Sequence, residues 1–316
     1  MRRYAILFAL VSLLLPVPAF AQSRTPEAAL NHFKNGLKKT GNGDLDGAIE
    51  DYTRAITLSS SLAPRKKPGN SFAESSDESS EEITIVDPFT ANAYTNRGLA
   101  RFRKGDYAGA IEDYNQALRI RPGLAIAYLN RAAALRGAGD MKAAVKDLDK
   151  AISIKKDFFH AYNNRGSLHL DLGNLDAALA DLNRALELND KFGEPYYHRG
   201  YTYLALRNFD AALADFNRAI ELEPDKAWRY QGRATALMYK GEMLRAIDDF
   251  TRAIEFDPKL VWAYFNRGLI YIYVGDDARA QKDFDECLRL KPDLKSDLEQ
   301  RIELAKHLRR IGTPPE

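Results

Sequence analysis

Residues 91–124 read ANAYTNRGLARFRKGDYAGAIEDYNQALRIRPGL, and these 34 residues decide the fold because the chain repeats them. A fixed period of this length is typical of proteins that stack one small helical unit many times into a solenoid. Six copies follow one another without insertion, and a seventh lies apart from them. The copies begin at Ala29, Ala91, Ala125, Phe159, Gly193, Ala227 and Val261.

Side-chain size within each copy predicts two packed helices. The eighth and twentieth residues are small in every copy, and the twenty-fourth is bulky and apolar. Spacings of three, four and seven place residues on one face of a helix, and a small residue opposite a bulky one lets two helices approach closely. The bulky residues are Tyr52, Tyr114, Leu148, Leu182, Phe216, Phe250 and Phe284. Each copy therefore predicts a helix–turn–helix unit.

The period and the order of these residues resemble the tetratricopeptide repeat. Proline lies where that family ends its second helix, and glycine lies in the turn between the helices, where a left-handed cap is favoured. These residues are Pro122, Pro224, Pro258 and Pro292, and Gly105, Gly139, Gly173, Gly241 and Gly275. The resemblance covers residues 29–62 and 91–294. It implies an all-α, right-handed superhelical solenoid, and the amphipathic pattern in residues 295–316 predicts a capping helix and tail.

The first 21 residues have the pattern of a secretory signal peptide. Arg2 and Arg3 precede an apolar run over residues 5–15, and Ala19-Phe20-Ala21 provides a small-residue cleavage site before Gln22. The alternative is an uncleaved anchor. Cleavage predicts a periplasmic or secreted protein with no membrane span in the mature chain.

An insert over residues 63–90 separates the N-terminal segment and first repeat, residues 22–62, from the other six. Its centre is rich in Ser, Asp and Glu and poor in apolar residues. Such a segment cannot recover its ordering entropy by burial, so we expect disorder.

Charge and motif content exclude several functional classes. Residues 1–21 hold two of the 46 Lys and Arg and none of the 44 Asp and Glu, so the remaining charges balance and indicate no nucleic-acid partner. Cys287 replaces a repeat Ala, which predicts a buried small residue. The five His residues are scattered, so we expect polar surface positions and no metal site. No catalytic motif remains, so we predict no enzyme activity and no cofactor.

Six consecutive copies carry Arg at the seventh position and Asp at the twenty-third. These residues lie on different helices of a repeat, where they can pair within or between repeats. We expect structural ion pairs at the seam between the helices.

The family resemblance implies that the first helices line a concave groove, and two sets of residues fall there. The first set is aromatic and apolar: Tyr197, Tyr201, Trp228, Met238, Tyr239, Trp262, Phe265, Ile272 and Tyr273. Such residues are candidates for partner contacts. The second set is Asn96, Asn130, Asn164 and Asn266, at the sixth position of their copies. It is similar to the Asn ladder that holds an extended peptide in the superhelix of O-GlcNAc transferases. The alternative is that these amides bond only to neighbours or water.

Together these features predict a non-catalytic scaffold that holds a peptide segment or partner protein in its concave groove, in envelope assembly, secretion or cell-wall complexes. Two alternatives are a self-assembling structural protein, which would be a homo-oligomer, and a non-catalytic regulator of a periplasmic enzyme.

Overall fold

The structure is a computed structural model that describes Leu15 and residues 26–60 and 88–311. Within these residues the regular structure is entirely helical, as the repeats predict. The predicted cleavage site before Gln22, the predicted disorder of the insert up to residue 87, and the tail after residue 311 lie outside the described residues. The helices are α1 Glu27–Gly41, α2 Leu45–Ser60, α3 Pro88–Arg103, α4 Tyr107–Ile120, α5 Ala125–Gly137, α6 Met141–Ile154, α7 Phe159–Asp171, α8 Leu175–Leu188, α9 Gly193–Ala205, α10 Phe209–Leu222, α11 Ala227–Lys240, α12 Met243–Phe256, α13 Val261–Val274, α14 Asp277–Leu290 and α15 Lys295–Ile311.

The chain forms two compact units that divide between Ala161 and Tyr162, inside α7. We call them the N-terminal unit and the C-terminal unit. The first contains α1 to α6 and the second contains α8 to α15. In both, consecutive helices form antiparallel pairs, each pair being one copy of the repeat. The starts of α5, α7, α9, α11 and α13 coincide with the predicted starts of the copies.

Close approach of the two helices in a pair depends on the small residue at the eighth position. A Cβ atom at Gly98 would lie 2.9 Å from the Tyr114 ring, and one at Gly200 would lie 2.9 Å from the Phe216 ring. Tyr114 and Phe216 are both fully buried. The predicted pairing of small and bulky residues is confirmed in these pairs, because only a hydrogen at the eighth position leaves room for the ring.

In the N-terminal unit the first helices of the repeats lie side by side, since α3 contacts both α1 and α5. We call their shared surface the first-helix face. Helix α3 begins at Pro88, so the last three residues of the predicted insert, 88–90, belong to it. Phe89 is fully buried and its ring centroid lies 5.1 Å from that of Phe33 on α1. This apolar contact with the first repeat extends α3 beyond the repeat boundary predicted at Ala91.

In the C-terminal unit α11 contacts α9 and α13, so the first helices again adjoin one another. Helix α15 packs on α13 and buries Leu298 and Ala305. These apolar residues cover the end of the last repeat, which confirms the predicted capping helix.

The six predicted Arg–Asp pairs all form within single repeats, with N–O distances between 2.6 and 3.2 Å. Each joins the first helix of a repeat to the second. The same guanidinium often reaches back to the preceding repeat, as Arg233 does when Nη1 donates to Asn217 at 2.8 Å. Burial raises the pKa of Asp113 and Asp215 despite their arginine partners. Desolvation therefore offsets part of the attraction, and the pairs fix geometry more than they add stability.

The pairs are Arg97–Asp113, Arg131–Asp147, Arg165–Asp181, Arg199–Asp215, Arg233–Asp249 and Arg267–Asp283. Each Arg also lies over a Tyr ring three residues earlier, at 5.3 to 5.8 Å from the centroid. A guanidinium over an aromatic face adds a cation–π contact. The six Arg–Asp pairs therefore hold the helices of each repeat together, and we do not count them among the candidate ligand-binding groups.

Candidate peptide-binding site

The first feature of the site is the Asn96 side chain on α3, which holds a backbone segment. Its Nδ2 donates to the Leu15 carbonyl oxygen at 3.1 Å, and its Oδ1 accepts from the Leu15 backbone N–H, also at 3.1 Å. Asn96 is fully buried. A primary amide offers one donor side and one acceptor side, so it can satisfy both polar groups of one extended residue. Asn96 thus pairs with Leu15 as a neighbouring strand would.

The Leu15 side chain supplies an apolar contact beside this backbone pairing. It packs against the cluster formed by Ala117, Leu118, Leu124 and Ala127. Tyr94, Ile126 and Tyr128 pack on the same cluster. Apolar side chains together with a few placed polar groups are the usual composition of a recognition site. The arrangement recognises an extended backbone through the amide and an apolar side chain through the cluster.

The local sequence explains why the Leu15 backbone is available. Leu15 precedes Pro16, and a residue before proline is disfavoured in the helical region and favoured in extended conformations. Leu15 lies in no helix or strand. Its N–H and carbonyl therefore have no partner in secondary structure and can bond to a side chain.

Asn130 occupies the same repeat position as Asn96, one repeat further along, on α5. It is 2% exposed, and neither atom of its amide has a hydrogen-bond partner among the described residues. An unpaired buried polar group costs about 1–3 kcal/mol, so a ligand that pairs with it gains that energy. Packed helices lie about 8–10 Å apart, which an extended peptide spans in about three residues. One extended peptide therefore has the length to pass both amides, and because Asn130 is only 2% exposed its neighbours must shift to admit the ligand.

The other two predicted Asn residues lie in the C-terminal unit and differ from this pair. Asn164 is buried and accepts from Nδ2 of Asn163 at 3.4 Å, while Asn266 is half-buried. Asn164 therefore follows the alternative given for the Asn series, in which the amide bonds to a neighbouring residue. His198 and Gly232 interrupt the series at the same position in the repeats between them. Among the four predicted residues, Asn96 alone holds a backbone segment in the part of the chain that the structure describes.

The nine predicted aromatic and apolar residues form several contact groups within the C-terminal unit. Tyr197 meets Tyr201 and Trp228, with ring centroids 4.9 and 4.2 Å away. Tyr239 stacks on Phe209 at 6.1 Å. Trp262 lies 5.3 Å from Phe265 in a cluster that includes Ile272, whereas Met238 and Tyr273 pack on a different cluster.

Burial changes the description of four of these residues. Tyr197, Tyr201, Phe265 and Ile272 are each at most 5% exposed, so a partner can reach little of them. They pack with other core rings, as Tyr201 does against Phe216 at 5.2 Å. The remaining five are half-buried and keep some surface for contact. The sequence pattern did not separate the two groups because core and groove residues both lie on the first helices.

Arg229 is a buried residue that the sequence reasoning missed. It is fully buried, its Nη1 donates to the carbonyls of Ala219 and Glu223 at 2.9 and 3.0 Å, and it pairs with the Glu223 carboxylate at 2.7 Å. Its guanidinium lies 4.5 Å from the Trp228 ring centroid. It satisfies carbonyls at the C-terminal end of α10. The sequence signal for Arg229 is that it stands at the third position of its copy, where four other copies have Ala.

Several titratable groups lie outside the Asn96 site. The described residues contain no group of three or more His, Cys, Asp or Glu that could hold a metal ion. Cys287 is buried as predicted, and burial raises the pKa of its thiol to about 11. His160 and His198 are 8% and 3% exposed, so the expectation of polar surface is wrong for both. They lie on first helices, where the repeat packs them inward.

None of the helices described here is long and apolar enough to cross a membrane.

Comparison with known families identifies the repeats. Family models described as "Tetratricopeptide repeat" match residues 91–124, 125–158, 160–192, 194–226 and 261–294, together just over half of the chain. The helix pairs α1–α2 and α11–α12 have the same architecture outside these ranges.

Solved structures show the same fold. A tetratricopeptide repeat protein from Parabacteroides merdae is 22% identical, with a TM-score of 0.63, over 88% of this chain and 99% of that chain. The Pseudomonas aeruginosa protein pilF is 19% identical, with a TM-score of 0.57, over 64% of this chain and 92% of that chain.

A curated relative is the heat-shock protein cognate co-chaperone sgt12 of Aspergillus fumigatus. It is 32% identical over 122 residues, which cover 33% of this chain and 35% of that protein. The match therefore spans about a third of the length of that relative.

Proposed function

Because this chain belongs to the tetratricopeptide-repeat family, whose members generally act as protein-interaction scaffolds, we propose that it holds an extended peptide segment of a partner protein on its first-helix face. The scaffold contributes binding and no chemistry. The Asn96 and Asn130 amides hold the peptide backbone, and the cluster beside Leu15 receives an apolar side chain.

The observation that carries this proposal is the paired hydrogen bonding of Asn96 with Leu15. An amide bonded to both the N–H and the carbonyl of one residue recognises the backbone and is indifferent to that residue's side chain. Each such bond contributes about 0.5–1.5 kcal/mol net. Two bonds at one position give weak binding, so useful affinity needs the adjoining apolar contact and the second amide at Asn130.

The setting we propose is the bacterial periplasm or the exterior of the cell, in envelope assembly, secretion or cell-wall complexes. It rests on the sequence of residues 1–21, where two arginines, an apolar run and the small residues before Gln22 follow the order of a signal peptide. Cell fractionation tests the setting, and recovery of the protein in the cytoplasm with Met1 retained would contradict it.

Selection from a library of displayed random peptides tests the binding function. The chain from Gln22 onward is immobilised, and we expect enrichment of apolar peptides that bind at least ten-fold more weakly to the double variant Asn96→Ala with Asn130→Ala. The matched control is Asn42→Ala, since Asn42 is an exposed amide at the end of α1 in the same unit. Failure to enrich any peptide, or equal binding to both variants, would contradict the proposed function.

A further inference from the structure

We propose that Leu15 is an intramolecular ligand of the Asn96 site, and that it occupies the site until cleavage after Ala21 releases it. This rests on the proposed function and adds the chemistry of the ligand and a means of control. Because the partner uses the site that Leu15 occupies before cleavage, we expect it to present the same chemistry, an extended apolar residue, favourably a leucine before proline.

The geometry at Leu15 is that of a bound ligand. Both of its backbone polar groups bond to one fully buried side chain, and its own side chain packs on the apolar cluster of α4 and α5. Backbone and side chain are thus recognised at the same time. The nearest described helix begins at Glu27, so Leu15 belongs to no part of the repeat architecture.

The sequence around Leu15 has the properties that this site selects. Residues 5–15 are apolar except for Ser12, and Pro16 and Pro18 follow. A residue before proline favours extended conformations, in which its N–H and carbonyl stay available to an amide partner. The leader sequence therefore combines an apolar side chain with a preference for an extended backbone at Leu15.

Covalent linkage explains how a weak contact can fill the site and then leave it. A ligand tethered within the same chain has an effective concentration that reaches the millimolar range, which fills a site whose dissociation constant is about 0.1 mM or lower. The predicted cleavage falls after Ala21, between Leu15 and the first helix. Cutting there ends the tethering, and the segment then dissociates at ordinary concentrations. Before cleavage a partner's apparent affinity is reduced by the fraction of sites that Leu15 occupies.

The test uses a fluorescent peptide of residues 9–20 with a lysine tail for solubility, and its binding is followed by fluorescence anisotropy. The chain from Gln22 onward keeps every described helix, since the first begins at Glu27. We expect it to bind the peptide at least ten-fold more tightly than the full chain does. In the full chain, Leu15→Asp places a charge against the apolar cluster and should restore peptide binding to the level of the shortened chain.

Two further arms locate the contact. A peptide N-methylated at Leu15 lacks the N–H that Asn96 accepts, so it should bind the shortened chain at least ten-fold more weakly. Asn96→Ala should weaken the unmodified peptide to the same extent, and Asn42→Ala should leave it unchanged.

The outcomes separate the two proposals. Equal binding by the full and shortened chains would overturn the intramolecular ligand and leave the peptide-binding function standing. Absence of peptide binding by the shortened chain would overturn the ligand assignment, whereas the library selection would still decide the function. If neither Asn96→Ala nor N-methylation at Leu15 weakens peptide binding to the shortened chain, the contact lies elsewhere and the inference is overturned.

Discussion

Asp249 on α12 accepts two hydrogen bonds from Arg233 on α11, each 2.7 Å long. We predict that Asp249→Ala lowers the free energy of unfolding by about 2–3 kcal/mol. Removing one partner of a fully buried pair costs about 3–5 kcal/mol because the other charge is left uncompensated. The cost is smaller here because the Arg233 side chain is 25% exposed and keeps its bond to Asn217.

A double variant separates the cost of an orphaned charge from the net value of the pair. Replacing both residues, Arg233→Met with Asp249→Leu, removes the charges and keeps apolar volume, so we expect stability within about 1 kcal/mol of the original chain. The control is Arg252→Ala. Arg252 pairs with Glu255 on the same helix at 3.0 Å, but the two side chains are 60% and 57% exposed, and exposed pairs contribute little.

Urea unfolding followed by circular dichroism measures all three variants. The free energies of unfolding of Arg252→Ala and of the double variant should lie close to that of the original chain. The value for Asp249→Ala should lie well below them. A cost for Asp249→Ala no greater than that for Arg252→Ala would refute the view that the periodic pairs are structural. A double variant as unstable as Asp249→Ala would refute the desolvation argument.

Three further predictions use other parts of the chain. Phe265→Ala should lower the free energy of unfolding by about 3–5 kcal/mol, since Phe265 is 4% exposed. An unchanged urea midpoint would show that Phe265 is a groove residue and not a core residue. Burial, together with the charge of Lys155, lowers the pKa of His160 to about 4, so neutral His160 favours the folded state fully above about pH 6.5. The free energy of unfolding should therefore fall by about 1–2 kcal/mol between pH 7 and pH 5. His160→Asn should flatten this pH dependence, and an equally steep fall in that variant would contradict the prediction. Deleting residues 73–82 should leave the melting temperature nearly unchanged, because a long connection costs little to shorten or lengthen; a drop as large as that of Phe265→Ala would show that the insert packs.

Much of the fold follows from the sequence because each repeat specifies its own local packing. The starts of five helices, the close contact of Gly98 with Tyr114 and the pairing of Arg97 with Asp113 each depend on residues within one 34-residue unit. Periodicity detects such contacts directly. The early start of α3 at Pro88 was missed because it depends on Phe89 reaching Phe33 across an insert, which no repeat pattern encodes.

The candidate site was only partly predictable. The Asn series placed Asn96 and Asn130 correctly on first helices, since the amide repeats with the period. The series could not distinguish them from Asn164, whose difference lies in a bond to its neighbour Asn163. For Leu15 the sequence predicts only a place in a signal peptide, because its contact with Asn96 joins residues 81 positions apart.

Recognition of a peptide backbone by Asn96 is tested most directly by nuclear magnetic resonance of its side-chain amide. The shortened chain, labelled with nitrogen-15 and assigned through the Asn96→Ala variant, is titrated with the peptide of residues 9–20. Donation from Nδ2 to the Leu15 carbonyl should shift the Asn96 amide protons progressively to saturation, and N-methylation at Leu15 should greatly weaken that shift. Peptide binding that leaves the Asn96 amide resonances unmoved would contradict backbone recognition at this residue.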